Sequence, residues 1–116
     1  KEGSLTVVEI EGNMVGGPAA DEFRIFIMDL IEDGARSMIF DLSKVRYVAS
    51  PGAGMIIGTY TTLKNRGGEL KLVVSTERVK NLVNLIQLYR ILEVYETIEE
   101  AIASFESKSD EAVSSG

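Results

Sequence analysis

Residues 39–73 read IFDLSKVRYVASPGAGMIIGTYTTLKNRGGELKLV, and this stretch decides the fold. Its start belongs to the short apolar run SMIFDLS, residues 37–43, which has the length and composition of a buried strand. VRYVA is a second short extended piece that leads into Ser50 and Pro51. Proline is tolerated at the start of a helix because its missing N–H had no intrahelical partner there. From Pro51 to about Asn65 the spacing of Ile56, Tyr60 and Leu63 puts them on one helical face. Gly67 and Gly68 punctuate the end of that helix, and LKLVVS, residues 70–75, reads as another strand. Strand, helix, strand is the βαβ unit of a parallel sheet.

The flanks repeat the alternation. LTVVEIEG, residues 5–12, is β-branched and partly alternating, so it reads as a strand. A turn-rich connection, NMVGGPAADE, follows, and Gly17-Pro18 marks a helix entry. Phe23, Phe26, Ile27, Leu30 and Ile31 recur at helical spacing and are expected to face the core, with Gly34 as a C-cap. Beyond the central unit, Val79, Leu82, Val83 and Ile86 form a third helical stripe, ILEVY reads as a final strand, and Thr97 with Glu100 has capping-box spacing. The order is strand, helix, strand, helix, strand, helix, strand, helix. It predicts a mainly parallel sheet with covering helices, in one domain of 116 residues.

Composition narrows the chemistry. The net charge of -6 disfavours nucleic acid and anionic membrane surfaces as partners. Cysteine and histidine are both absent. Disulfides, thiolate chemistry, Ser-His pairs and the commonest zinc ligands are therefore excluded, and a cytoplasmic location fits. No apolar run approaches the roughly 20 residues of a membrane helix, and no signal-peptide pattern is present. The carboxylates of ADEF and IEEA sit at helix starts, where the dipole favours them, and nothing pairs them into an acid–base dyad. GAGMIIGT lacks the spacing of a dinucleotide fingerprint and the lysine of a Walker loop. Neither catalytic residues nor a cofactor or metal site is expected.

Ser50 remains. As an N-cap its hydroxyl would accept from the N–H of Gly52 or Ala53. Gly52, Gly54 and Gly58 complicate that reading, because each interior glycine costs a helix roughly 1 kcal/mol against alanine. A side-chain-free surface either packs tightly on the sheet or lets a partner approach, and helix N-terminal amides suit an added phosphate.

The opening stretch, with its DLS, its Ser50–Gly54 turn and its RGGEL turn, resembles the signature of the STAS domain of sulfate transporters and anti-sigma factor antagonists. The similarity continues through VVSTERVKNLVNLIQLYRILEVYETIEEAI, residues 73–102. It implies an α/β fold with a mixed, mainly parallel sheet of about four to five strands covered by about four helices. It assigns residues 1–105 to the domain, with its N-terminal strand partly missing before Lys1; residues 106–116, polar and small, are expected to form a disordered tail. It further implies a bacterial partner-switching regulator rather than an enzyme. Such a protein binds a serine-kinase anti-sigma factor and is switched off by phosphorylation and restored by a phosphatase. Ser50 matches the phosphoacceptor position, and Val15, Ala49, Pro51, Gly52, Ala53, Gly54, Met55 and Gly58 match the partner-binding surface. The sequence departs from the family pattern at Ala49 and Val15, where antagonists often carry acids, at Pro51, and at Gln87, where glycine is frequent. A STAS module that is not phosphorylated, serving as a scaffold or transporter-associated subunit, is the alternative. A small α/β enzyme or nucleotide binder is the third reading.

Overall fold

The computed structural model describes the backbone of residues 5–115 and the side chains of residues 5–106. The elements are β1 (Leu5–Met14), α1 (Pro18–Glu32), β2 (Ser37–Val48), α2 (Ser50–Asn65), β3 (Glu69–Val73), α3 (Glu77–Leu85), a 3₁₀ turn at Leu88–Arg90, β4 (Val94–Tyr95) and α4 (Ile98–Ser115). The strands form one sheet in the order β1-β2-β3-β4, and every neighbouring pair is parallel. The expected α/β architecture is thus observed, with four strands and four α-helices among the described residues.

Alternation along the strands sorts the core into two layers. Met38, Phe40 and Leu42 of β2 and Leu70 and Leu72 of β3 face Ile27 and Ile31 of α1, Ile56 and Leu63 of α2, and Val79 and Val83 of α3. Ile39 and Val73 point the other way, against Ala101, Ile98, Ile102 and Phe105 of α4. Lys71 also lies on this second face and is 1% exposed. Its ammonium bonds to Ser104 Oγ at 2.7 Å and to Glu93 Oε1 at 3.0 Å, and lies 4.3 Å from the Phe105 ring centroid.

Several local expectations are revised. SMIFDLS and VRYVA are one 12-residue strand rather than two pieces. Asp41 Oδ1 accepts bonds from the Ser43 N–H at 3.0 Å and the Ser43 hydroxyl at 2.6 Å, where the β1–β2 register shifts. The bulges let a long strand stay paired through a polar kink. Conversely, ILEVY contributes only Val94–Tyr95 to the sheet. Phe23 meets Phe40 edge-on at 5.6 Å, whereas Phe26 is 50% exposed: it lies at the margin of the apolar stripe, past the reach of the sheet. α4 spans Ile98–Ser115, so helical backbone continues into the segment expected as a tail, whose side chains beyond residue 106 lie outside the described residues.

Glycine ends α1 and α2 in the same way. Gly34 (φ 113) and Gly67 (φ 82) follow the C-caps Asp33 and Arg66. The N–H groups of Ala35 and Gly68 reach back to the carbonyls of Leu30 and Leu63, the six-to-one bond of a Schellman motif. At α3 the equivalent left-handed position is Gln87, at φ 60 and ψ 32. The capping box of α4 forms with a one-residue offset. Glu100 N–H donates to the Thr97 hydroxyl at 3.1 Å, while the Glu100 carboxylate accepts from Glu96 N–H rather than from Thr97.

Candidate functional site

Three chain segments meet at the C-terminal edge of the sheet. β1 and β2 end side by side, with Met14 opposite Val48. Ala49 N–H then donates to the Met14 carbonyl at 2.9 Å, which extends the ladder one step and fixes where the chain turns into α2. Open α/β sheets characteristically place their sites at this edge.

Ser50 is not the cap. Ala49, extended at φ -94 and ψ 173, is the N-cap residue, and its carbonyl accepts the first helical bond, from Ala53 N–H at 2.9 Å. Alanine has no side-chain acceptor, so the cap is made without a side-chain hydrogen bond. Ser50 is therefore the first helical residue and Pro51 the second, both positions whose N–H lacks an intrahelical partner. The ladder bond from Ala49 is what displaces the helix start by one residue. Ser50 is exposed, and its hydroxyl makes no hydrogen bond among the described residues. The first turn of α2 carries no acidic residue, so its positive end is not already neutralised locally.

The glycines divide by role. A Cβ on Gly52 would lie 2.3 Å from the Met14 carbonyl oxygen, so glycine is required for α2 to seat on β1. Gly54 and Gly58 face open space, with nothing within 4 Å of a built Cβ. They floor a groove of about 160 Å³ between α1 and α2, walled by Arg24, Met28 and Met55. Val15 is 44% exposed at the β1–α1 turn. Beside it Gly16 approaches Pro51, whose Cβ lies 3.4 Å from a Cβ built on the glycine. Ala53 is 8% exposed and serves the core, not the surface.

The sequence-marked residues thus converge, although Gly52 and Ala53 support the site from beneath. Met14, Gly16, Arg24 and Met28 were not marked. Arg24 and Met28 flank the apolar stripe of α1, and the pairing of α1 with α2 that makes them groove walls has no short-range sequence signal. The resolved protonation shifts lie away from Ser50. A hydrogen bond from Lys80 holds the Glu96 carboxyl below its ordinary value and, reciprocally, raises the Lys80 ammonium. Burial, with a bond to Glu93, pushes the Tyr95 phenol up.

A family model described as STAS domain matches residues 1–101, and the chain belongs to that family. Among its relatives is the anti-sigma-B factor antagonist of Bacillus subtilis (strain 168), 34% identical over 76 residues, covering 66% of this chain and 69% of that protein. Two solved structures share the fold. An anti-sigma factor antagonist from Mycobacterium paratuberculosis superposes with a TM-score of 0.78 at 20% identity, covering 90% of this chain and 87% of its own. A sulfate transporter family protein from Wolinella succinogenes gives 0.73 at 21%, covering 91% and 88%. No helix among the described residues is long and apolar enough to cross a membrane.

Proposed function

We propose that this protein is an anti-sigma factor antagonist acting by binding rather than catalysis, that the Ser50 face docks a serine-kinase anti-sigma factor, and that phosphorylation of Ser50 by that kinase ends the complex until a phosphatase restores it. The observation that carries the reading is the exposed Ser50 hydroxyl, released from capping by Ala49, at the unneutralised N-terminus of α2. A phosphoryl group there adds about -1.5 to -2 charges and three acceptor oxygens. The helix dipole accommodates that charge within the domain, so the fold persists. A partner packed over Gly54 and Gly58 meets both the bulk and an unpaired charge that it must desolvate. The 34% identity to the Bacillus antagonist supports the same reading.

The test uses Ser50→Ala and Ser50→Asp with the serine-kinase anti-sigma factor of the source organism. The alanine variant is expected to bind like the parent and to resist phosphorylation. The aspartate variant is expected to bind at least about tenfold more weakly, a change of ~1.4 kcal/mol. Equal binding by both variants contradicts the switch.

A second reading has its own observation. Val15 and Ala49 present apolar side chains at positions where the resemblance implies acids. In that reading the chain is an unphosphorylated STAS module, a scaffold or a transporter-associated subunit, and calorimetry then gives binding that is insensitive to both Ser50 substitutions.

A further inference from the structure

Away from Ser50, an open pocket of about 550 Å³ lies between the start of β3, the 3₁₀ turn and β4. β3 pairs with β2 only over Ser37–Asp41, and the rest of β2, roughly 20 Å of strand, separates that pairing from the Ala49 turn. Tyr60 of α2, Tyr89, Arg90 and Ile91 line the pocket together with Glu69 and Glu93. Tyr89 is 55% exposed and Ile91 40%, and Leu85 and Ile86, just before them in the chain, are exposed as well. Four of the nine exposed large apolar side chains among the described residues therefore fall within seven consecutive positions. Single exposed apolar residues are ordinary, whereas a concentration of them at the mouth of a pocket marks a contact surface. Across residues 81–92 the one charged residue is Arg90, and it belongs to none of the ion pairs among the described residues.

We infer that this patch binds a second copy of the chain in a two-fold dimer. A two-fold contact presents the same patch from both sides, so the patch must hold both halves of every interaction it makes. Here it holds a projecting ring, Tyr89, and a pocket open enough to receive one. It also holds both signs of charge, Arg90 beside Glu69 and Glu93. Glu93 already bonds to Lys71 and Tyr95, yet 46% of its side chain is exposed, and a carboxylate has further acceptor sites. Lys71 offsets the charge of Glu93 and Arg90 that of Glu69, so two chains of net charge -6 meet through a nearly neutral area. In the dimer Tyr89 of each copy enters the other's pocket, Ile91 packs beside it, and Arg90 meets the other's Glu69. Tyrosine and arginine are among the residues that carry most of the energy of such contacts. The Ser50 turn stays uncovered, so this contact is separate from the proposed switch and does not depend on it.

The experiment is analytical ultracentrifugation of the full chain over a range of concentrations, which is expected to show a reversible monomer–dimer equilibrium. Tyr89→Ala, Arg90→Glu and Glu69→Lys are each expected to weaken the dimer at least about tenfold. The decisive arm mixes Arg90→Glu with Glu69→Lys. Each variant alone sets like charges against each other across the two-fold axis, whereas the mixed dimer has opposite charges at both contacts. The mixture is therefore expected to dimerise at least about tenfold more tightly than either variant alone. An unchanged unfolding midpoint controls for the fold. Methyl NMR of the parent on dilution needs no substitution, and is expected to move Ile86 and Ile91 and to leave Val15 unmoved. A chain that stays monomeric up to about 1 mM, a dimer indifferent to Tyr89→Ala and Arg90→Glu, a mixture without recovery, or dilution shifts confined to the Ser50 face overturns the inference. Ser50→Asp is expected to dimerise like the parent, so failure of the dimer leaves the Ser50 test standing, and loss of the Ser50 switch leaves the dimer measurable.

Discussion

Ser50 and Gly52 sit on the first turn of α2, yet the structure holds one and leaves the other bare. Gly52 is pressed to the Met14 carbonyl, and Gly52→Ala puts a methyl 2.3 Å from a backbone oxygen that has no rotamer to escape by. That substitution is expected to destabilise the protein by about 2 kcal/mol or more in urea unfolding. Gly54 shares its helix but not its constraint, since nothing approaches its Cβ position. Gly54→Ala is expected to raise stability by roughly 1 kcal/mol through helix propensity alone, while weakening partner binding. A variant that gains stability and keeps full binding contradicts the role given to this surface. Gln87 supplies the opposite case. It is the only non-glycine residue with positive φ among those described, at the C-terminus of α3. Gln87→Gly is expected to add about 1 kcal/mol by removing the left-handed penalty, and an unchanged unfolding midpoint contradicts this.

At the scale of elements, what sequence patterns conveyed and what they did not separate cleanly. Helices α1, α2 and α3 were legible because each carries an apolar stripe at helical spacing, and the ends of α1 and α2 because glycine follows them. The start of α2 was displaced by one residue because a bond from Ala49 to a strand 35 positions earlier decides it, and local preference sees only Ser50 and Pro51. β2 was split in two because DLSK interrupts its apolar run, while the bond that bridges the interruption is a side-chain contact between Asp41 and Ser43. The seating of α4 on the sheet was equally hidden, as a buried Lys71 is not a residue that strand patterns predict. Its bonds to Ser104 and Glu93 and its place over Phe105 make it the polar pin of that interface. Lys71→Ala is expected to cost about 2–3 kcal/mol, from the cavity and from Ser104 and Glu93 losing a partner. Lys71→Met keeps the stem volume and is expected to stay within about 1 kcal/mol of the parent, since desolvating an ammonium offsets much of its pairing. Equal loss in both variants, measured by urea unfolding, contradicts this account of the interface.

For the molecule as a whole, a parallel sheet with α1, α2 and α3 on one face and α4 on the other brings the ends of β1 and β2 to one edge, and that edge holds the candidate site. The fold class was legible from the alternation of strands and helices, and the family from the resemblance carried by residues 39–73. The α1–α2 groove and the pocket at Tyr89 were not, because each is made by elements that meet only in three dimensions. The most direct measurement of the central claim is the location of phosphate by mass spectrometry after incubation with ATP and the serine-kinase anti-sigma factor of the source organism. The account predicts a single modification on the peptide containing Ser50, absent from the Ser50→Ala variant. Phosphate on another residue with Ser50 unmodified, or no modification while the complex forms, contradicts it.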